Sequence, residues 1–317
     1  MSLIHVLFEN EAWMPPLRKA LASRGLAWTE HFTEGGTLDL GEEPPSGIYI
    51  NRMSPSSHTR GHQGGVTYLQ SYLHHLEAHG RRVINGSNAF ALEVSKVRQD
   101  LALRRHGILT PRTLAIVGDK ARLKRAARTL DLPFITKHNQ GGKGLGVKLF
   151  EDLESFDDYV DSDEFLDGPD GITLLQQYIR PVQPHITRVE IVDGEFQYAI
   201  KSSTEGGFEL CPAKECDAGD AFCPVAGTGK FNLDESVSAD HPLVAKYIAL
   251  MDAEGLDVAG IEFVEGEDGL LYTYDINGTT NFNDDLEAVH GLAGMEAIAS
   301  MVERELTALI PRQQRVA

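Results

Sequence analysis

Phe134-Ile135-Thr136-Lys137-His138-Asn139-Gln140-Gly141-Gly142-Lys143-Gly144-Leu145-Gly146 is the stretch on which the fold reading turns. Four of its last six residues are glycine, so the backbone can turn tightly there and bring its N–H groups close to a ligand. Residues 134–137 read as a strand and 147–150 as a second one. The order strand, glycine-rich turn, strand is a hairpin, not the strand–loop–helix of a P-loop. Lys137 ends the first strand, which fixes the direction of its ammonium. N–H donors around Gly141, Gly142, Gly144 and Gly146 beside a fixed positive charge suit a phosphate. A plain flexible hairpin turn fits the same residues, and both readings stay open at this point.

Downstream, Tyr274-Asp275-Ile276-Asn277-Gly278 places a carboxylate and an amide two residues apart on a predicted strand. Positions i and i+2 share a face, so Asp275 and Asn277 converge. Hard oxygen donors of this kind suit Mg²⁺. The segments 258–264 and 270–276 read as a hairpin, which brings Glu262 alongside as a third donor. A solvated polar sheet face would look the same. Lys96, Arg188 and Lys201 are scattered cations on predicted helices and strands. In so acidic a chain each is equally readable as a surface ion-pair partner.

Working outward, residues 4–8 read as a strand and a helix starts near Glu11, with Pro15 and Pro16 in its first turn. A strand over 47–51, a polar loop over 52–62, a helix over 66–78 and a short strand at Val83 and Ile84 complete a small α/β unit. A helix over 89–106 opens the next unit, stopped by Gly107, and Asp119 caps another helix. Asp193-Gly194 is a type I′ turn signal between strands at 188–192 and 195–200. A helix over 241–254 and a C-terminal helix through about Leu309 follow. These spans predict three α/β units, at 1–90, 91–175 and 176–317. The chain has 317 residues and a formal net charge of −18. Such a surface repels phosphate backbones, so no nucleic-acid partner is expected. No apolar run approaches the ~20 residues of a membrane span, and a cytoplasmic protein without a membrane partner is the default.

Taken in order, Lys96, Lys137 with its hairpin, Leu175-Gln176-Gln177-Tyr178-Ile179, Arg188, Lys201, Glu262 and Asp275-x-Asn277 resemble the ATP-grasp superfamily. The likeness is to the RimK-type glutamate ligases and their carboxylate–amine ligase relatives, over about residues 87–301. Ser95-Lys96 with His106-Gly107-Ile108 and Pro111 looks like the segment that opens that fold. The resemblance implies an α/β (α+β) ATP-grasp architecture of three units, the first a pre-ATP-grasp domain. It also implies an ADP-producing ligase that joins a carboxylate to an amine through an acyl phosphate, with ATP and Mg²⁺. Lys96, Lys137 and Lys201 would hold phosphates, and Gln177, Tyr178 and Ile179 would lie along adenine. Glu262, Asp275 and Asn277 would bind the metal, and Arg188 would face the transferred phosphoryl group or the tetrahedral intermediate. The partners would be small-molecule carboxylate and amine substrates, and a homodimer is compatible with the superfamily. The chain departs from the RimK pattern at Ile186, where those ligases carry an acid. It also lacks their basic loop after Lys201, so its substrate need not be that of a glutamate ligase. A phosphotransferase on a small molecule and a non-catalytic nucleotide binder are the alternatives.

Two further features sit outside that machinery. The loop over 51–62 holds Arg52, His58, Arg60 and His62. Arginine suits bidentate carboxylate binding, so Arg52 or Arg60 is expected to bind an acidic group of the substrate, with a solvated loop as the other reading. Cys211, Cys216 and Cys223 lie close together, but their spacing is not that of a zinc knuckle, which favours reduced thiols in a loop.

Overall fold

A computed structural model describes residues 3–142, 144, 146–204 and 231–314. The cysteines at 211, 216 and 223 lie outside the described residues. The elements run β1 (Ile4–Phe8), α1 (Pro15–Ser23), β2 (Trp28–Phe32), β3 (Ile48–Arg52), α2 (Gly65–Ala78), β4 (Arg82–Ile84), α3 (Ser87–Glu93) and α4 (Lys96–Arg105). They continue with β5 (Thr113–Ile116), α5 (Lys120–Ala127), β6 (Phe134–His138), β7 (Lys148–Phe150), α6 (Leu153–Asp161) and β8 (Thr173–Gln177). The last group is β9 (His185–Val192), β10 (Glu195–Ser203), β11 (Phe231–Leu233), α7 (Pro242–Glu254), β12 (Val258–Glu265), β13 (Leu271–Asn277), α8 (Asp284–His290) and α9 (Gly294–Gln314). Among the described residues, no helix is long and apolar enough to cross a membrane.

The strands form three sheets, ordered β2-β1-β3-β4, β5-β8-β6-β7 and β11-β10-β9-β12-β13. The first is parallel, and its central strands are buried on both faces. Ile4, Val6 and Phe8 enter one hydrophobic cluster with α1 and α9, while Leu7 and Tyr49 enter another with α2. That two-sided burial explains why apolar residues at the start of the chain fall on both faces of β1, at Leu7 as well as at Ile4, Val6 and Phe8. The second sheet is antiparallel and is covered by α5 and α6 through Leu123, Phe134, Phe150 and Phe156. In the third, Val189, Ile191, Ile261 and Ile276 pack on α7, while Arg188 and Glu190 alternate to the opposite face.

The helix expected over 89–106 is two helices. Ser95 breaks it by taking extended backbone, and its hydroxyl accepts from the Arg98 N–H. The remaining donors of the new helix start are met from a distant loop: Asn139 O accepts from Lys96 N at 3.1 Å and Asn139 Oδ1 from Val97 N at 2.9 Å. No local glycine or proline marks this break, and much of the cap is tertiary. The C-terminal helical span is likewise divided into α8 and α9 by Gly291 in the left-handed region. The Asp193-Gly194 turn has positive φ at both residues, as the hairpin twist requires.

Asn85 joins the first sheet to the third. Its backbone is left-handed (φ 52). Its Oδ1 accepts from Asp257 N at 2.8 Å and Val258 N at 3.1 Å. Its Nδ2 donates to Val258 O and Gly278 O, both at 2.8 Å. Replacing Asn85 by alanine orphans buried backbone groups on two strands and puts a Cβ without local hydrogen bonding at positive φ. Asn85→Ala is expected to cost about 3 kcal/mol in urea unfolding, since each orphaned buried group costs about 1–3 kcal/mol. A change within about 0.5 kcal/mol, the level of an indifferent surface substitution, would refute this role.

Candidate functional site

A cavity of about 270 Å³ lies where the β6–β7 hairpin faces the third sheet. Its walls include Lys96, Lys137, Gly141, Gly142, Gly144, Gln177, Tyr178, Ile179, Arg188, Glu262, Asp275 and Asn277. The glycine hairpin and the paired acids, more than 110 positions apart in the chain, therefore face one space. Gly146 supports the wall from behind: its φ is 70, and a Cβ there would meet the His138 ring at 2.6 Å. The segments that follow β1 and β3 contribute Trp13, Pro55 and Ser56.

Each charged side chain is held by its element. Lys96 is the first residue of α4, and its Nζ donates to Asp275 Oδ1 at 2.5 Å. Lys137 is 6% exposed, and its Nζ approaches Tyr274 O at 3.5 Å. Burial and the neighbouring Lys96 pull the Lys137 ammonium down to about 8. Asp275 remains below the usual carboxylate range, because Lys96 and Lys137 outweigh the effect of its burial. Glu262 is pushed up by burial and by Asp275 beside it. These two carboxylates sit opposite each other across β12 and β13, next to a bulge that makes Tyr274 the extra residue.

Arg188 is buried and ringed by partners. Its Nε donates to Glu190 Oε1 at 2.7 Å, Nη1 to Glu262 Oε1 at 3.3 Å and Nη2 to Thr280 Oγ1 at 2.5 Å. The guanidinium lies across Gly260, where a Cβ would come within 2.4 Å of it. Glycine is the side chain that leaves this space. Asn277 Nδ2 donates to Gly260 O at 3.3 Å and faces Glu262 Oε1 at 3.4 Å.

Several expected residues are placed elsewhere. Lys201 is paired in register with Thr187, so it points to the sheet face opposite Arg188 and meets Asp234 Oδ1 at 3.1 Å. Arg60 and His62 hold Glu9, whose side chain is fully buried and needs a cation. Arg52 is 3% exposed and donates to Thr280 O and Asn281 Oδ1. Neither arginine lines the cavity, and the loop reaches it instead through Pro55 and Ser56. Gln177 N donates to Arg112 O at 2.8 Å and Tyr178 N to Pro133 O at 3.1 Å, while the side of the segment over Gln177, Tyr178 and Ile179 lines the cavity.

The sequence reading missed Glu93, Glu190, Thr280 and Asn139. Glu93 lines the cavity from the end of α3 and accepts from the Gly278 N–H. Its only sequence signal is an acid closing the apolar run Ala89-Phe90-Ala91-Leu92. Among the described residues, no group of three or more His, Cys, Asp or Glu side chains converges to hold a metal. The candidate set is two carboxylates and one amide.

Burial, partly offset by the Gly278 N–H, pushes the Glu93 carboxyl up to about 7. Its folded value exceeds its unfolded value of about 4.3, so the folded chain keeps a proton over that window that the unfolded chain has lost. Stability from this group is full below the window and is lost as pH rises through about 7. The stability of the ligand-free protein relative to Glu93→Gln should therefore fall between pH 5 and 8, by on the order of 2 kcal/mol. Parallel pH–stability curves for the two proteins would contradict the assignment.

The comparisons with known proteins agree with this architecture. No family model matches the chain. It is 25% identical over 213 residues to the human Beta-citrylglutamate synthase B, covering 66% of this chain and 50% of that protein. It is 24% identical over 232 residues to the Probable alpha-L-glutamate ligase of Mannheimia succiniciproducens, covering 73% and 70%. The chain thus spans about half the length of the citrylglutamate synthases it matches. Among solved structures, the RimK domain protein ATP-grasp from Sphaerobacter thermophilus superposes with a TM-score of 0.66 at 16% identity, over 93% of this chain and 98% of that one. The ATP-grasp ligase PsnB complexed with minimal precursor, Mg and ADP superposes with a TM-score of 0.63 at 16% identity, over 96% and 97%. The chain has the ATP-grasp fold, with a RimK-domain protein among its structural neighbours and glutamate-joining enzymes among its relatives in sequence.

Proposed function

We propose that this protein is an ATP-dependent carboxylate–amine ligase. The observation that carries the reading is the meeting of the glycine hairpin, Lys96, Lys137 and Arg188 with Glu262, Asp275 and Asn277 in one cavity. Relatives that join or ligate glutamate and an ATP-grasp neighbour solved with Mg and ADP support it. The three sheets support reading 1–90, 91–175 and 176–317 as successive units.

In the proposed reaction a substrate carboxylate oxygen attacks the γ-phosphorus of ATP. The bond from that phosphorus to the ADP oxygen breaks, and an acyl phosphate forms. The amine nitrogen then attacks the acyl carbon, the C–N bond forms and phosphate departs, with the amine proton lost to the medium. The protein needs no nucleophile of its own, and its task is alignment and charge neutralisation. Lys96, Lys137 and the hairpin N–H groups hold the phosphates, and Gln177, Tyr178 and Ile179 border the base. Arg188 faces the transferred phosphoryl group. The oxygen donors of Glu262, Asp275 and Asn277, a buried and a partly buried carboxylate with an amide, fit a hard divalent cation. When bound, Mg²⁺ would neutralise charge on the phosphates. Lys201 and Arg60 take no part, because they are paired outside the cavity. Small-molecule carboxylate and amine are the substrates proposed, with ATP and Mg²⁺.

ATP turnover across panels of carboxylates and amines tests this reading. Amide product with ADP is expected, while a phosphorylated product with no amide would make the protein a phosphotransferase. Asp275→Asn should lower turnover and shift the Mg²⁺ requirement upward. Arg188→Lys keeps one charge between Glu190 and Glu262, so the fold survives. It loses the planar fork, and kcat should fall by about 10²–10³ with nucleotide affinity retained. Near-normal kcat in that variant would remove Arg188 from the chemical step.

A further inference from the structure

Arg52 lies at the end of β3 in the first sheet, apart from the residues proposed to hold nucleotide. Its Nη1 donates to Thr280 O at 2.8 Å and its Nη2 to Asn281 Oδ1 at 2.7 Å. Its Nε is buried with no acceptor among the described residues. No carboxylate among the described residues forms an ion pair with it, whereas Arg188 has two. A buried guanidinium hydrogen-bonded only to neutral oxygens, with Glu93 as a counter-charge that does not pair with it, is costly, and simple packing of the loop does not require one. Thr280 is 1% exposed and is gripped from both sides. Arg52 takes its carbonyl, Arg188 Nη2 takes its hydroxyl at 2.5 Å, and that hydroxyl donates to Glu190 Oε2 at 2.8 Å. Thr279 Oγ1 donates to Met53 O at 2.8 Å, so the same loop is fastened to the first sheet a second time.

We propose that Arg52 is a positioning residue that fixes Thr280 and, through it, the orientation of the Arg188 guanidinium. The first sheet then sets the site by holding the reactive arginine, in place of binding an acidic substrate through Arg52. This rests on the assignment of Arg188 to the phosphoryl group made above. A guanidinium meets a transferring phosphoryl group through a planar fork, so a small rotation costs a donor. Lysine at position 52 keeps the charge but cannot span both the Thr280 carbonyl and the Asn281 amide oxygen.

The test needs no substrate. Binding of Mg·ADP is measured with and without aluminium fluoride, which mimics the phosphoryl group in flight, in the wild type, Arg52→Lys, Arg52→Met, Thr280→Val and the Arg52→Lys/Thr280→Val double variant. The wild type is expected to bind Mg·ADP and to tighten with fluoride. Each single variant should bind Mg·ADP within about twofold of wild type, yet lose tenfold or more of the tightening. The double variant should lose no more than Thr280→Val alone, because both changes act on one chain of contacts. Fluoride tightening intact in Arg52→Lys, additive losses in the double variant, or no tightening in the wild type would each overturn the proposal. A wild type that fails to bind Mg·ADP would instead refute the ligase reading itself. If Arg52→Met does not fold, Arg52→Lys and the double variant carry the decision.

Discussion

Arg188 lies across the bare backbone of Gly260, with a carboxylate on each side and a threonine hydroxyl at its tip. Burying one guanidinium and two carboxylates is expensive unless every donor finds an acceptor in good geometry. The third sheet is built around that demand. β9 supplies Arg188 and Glu190 two residues apart, β12 supplies Glu262 and the gap at Gly260, and the loop after β13 supplies Thr280. Each lies on a strand or is fastened to one, so the cluster is rigid before any ligand arrives. Preorganised charge of this kind costs nothing to reorient during a reaction.

The balance of charge in the cavity is less negative than that outside, which is what the polyanion proposed as its ligand would need. The exterior is strongly negative, and most surface cations pair locally with acids. Inside, Lys96 leans on Asp275 and Lys137 is left largely dry. The Lys137 ammonium loses part of its hydration on folding, which burial registers by lowering its proton affinity. A phosphate entering there would replace that missing water, so the cost of dehydrating the lysine is met during folding.

Local signals carried much of the fold. The hairpin glycines, the Asp193-Gly194 turn and the Asp275–Asn277 pair announced themselves because turns and same-face pairs depend on neighbours in sequence. What stayed hidden depends on partners far away. The break at Ser95 has one local mark, the capping serine itself, and the rest of its cap comes from Asn139. The edge strand β2 has no fully buried residue, so its apolar pattern is weak. Lys201 could be assigned a face only once its pairing with Thr187 was known, because one residue of register decides the side. Arg60 looked available until Glu9, fifty-one positions earlier, claimed it.

The bulge in β13 has a consequence for how that strand can vary. Before it, Leu271 and Thr273 face α7, where Thr273 meets the Tyr247 hydroxyl at 2.7 Å. After it, Ile276 packs in that same core while Asp275 and Asn277 face the cavity. Odd positions therefore point one way upstream of Tyr274 and the other way downstream. An unbulged strand of this sequence would turn both polar side chains into the apolar layer under α7. The two halves of β13 consequently obey opposite substitution rules: apolar exchange is tolerable at Leu271 and ruinous at Asp275, although the two are an even number of residues apart.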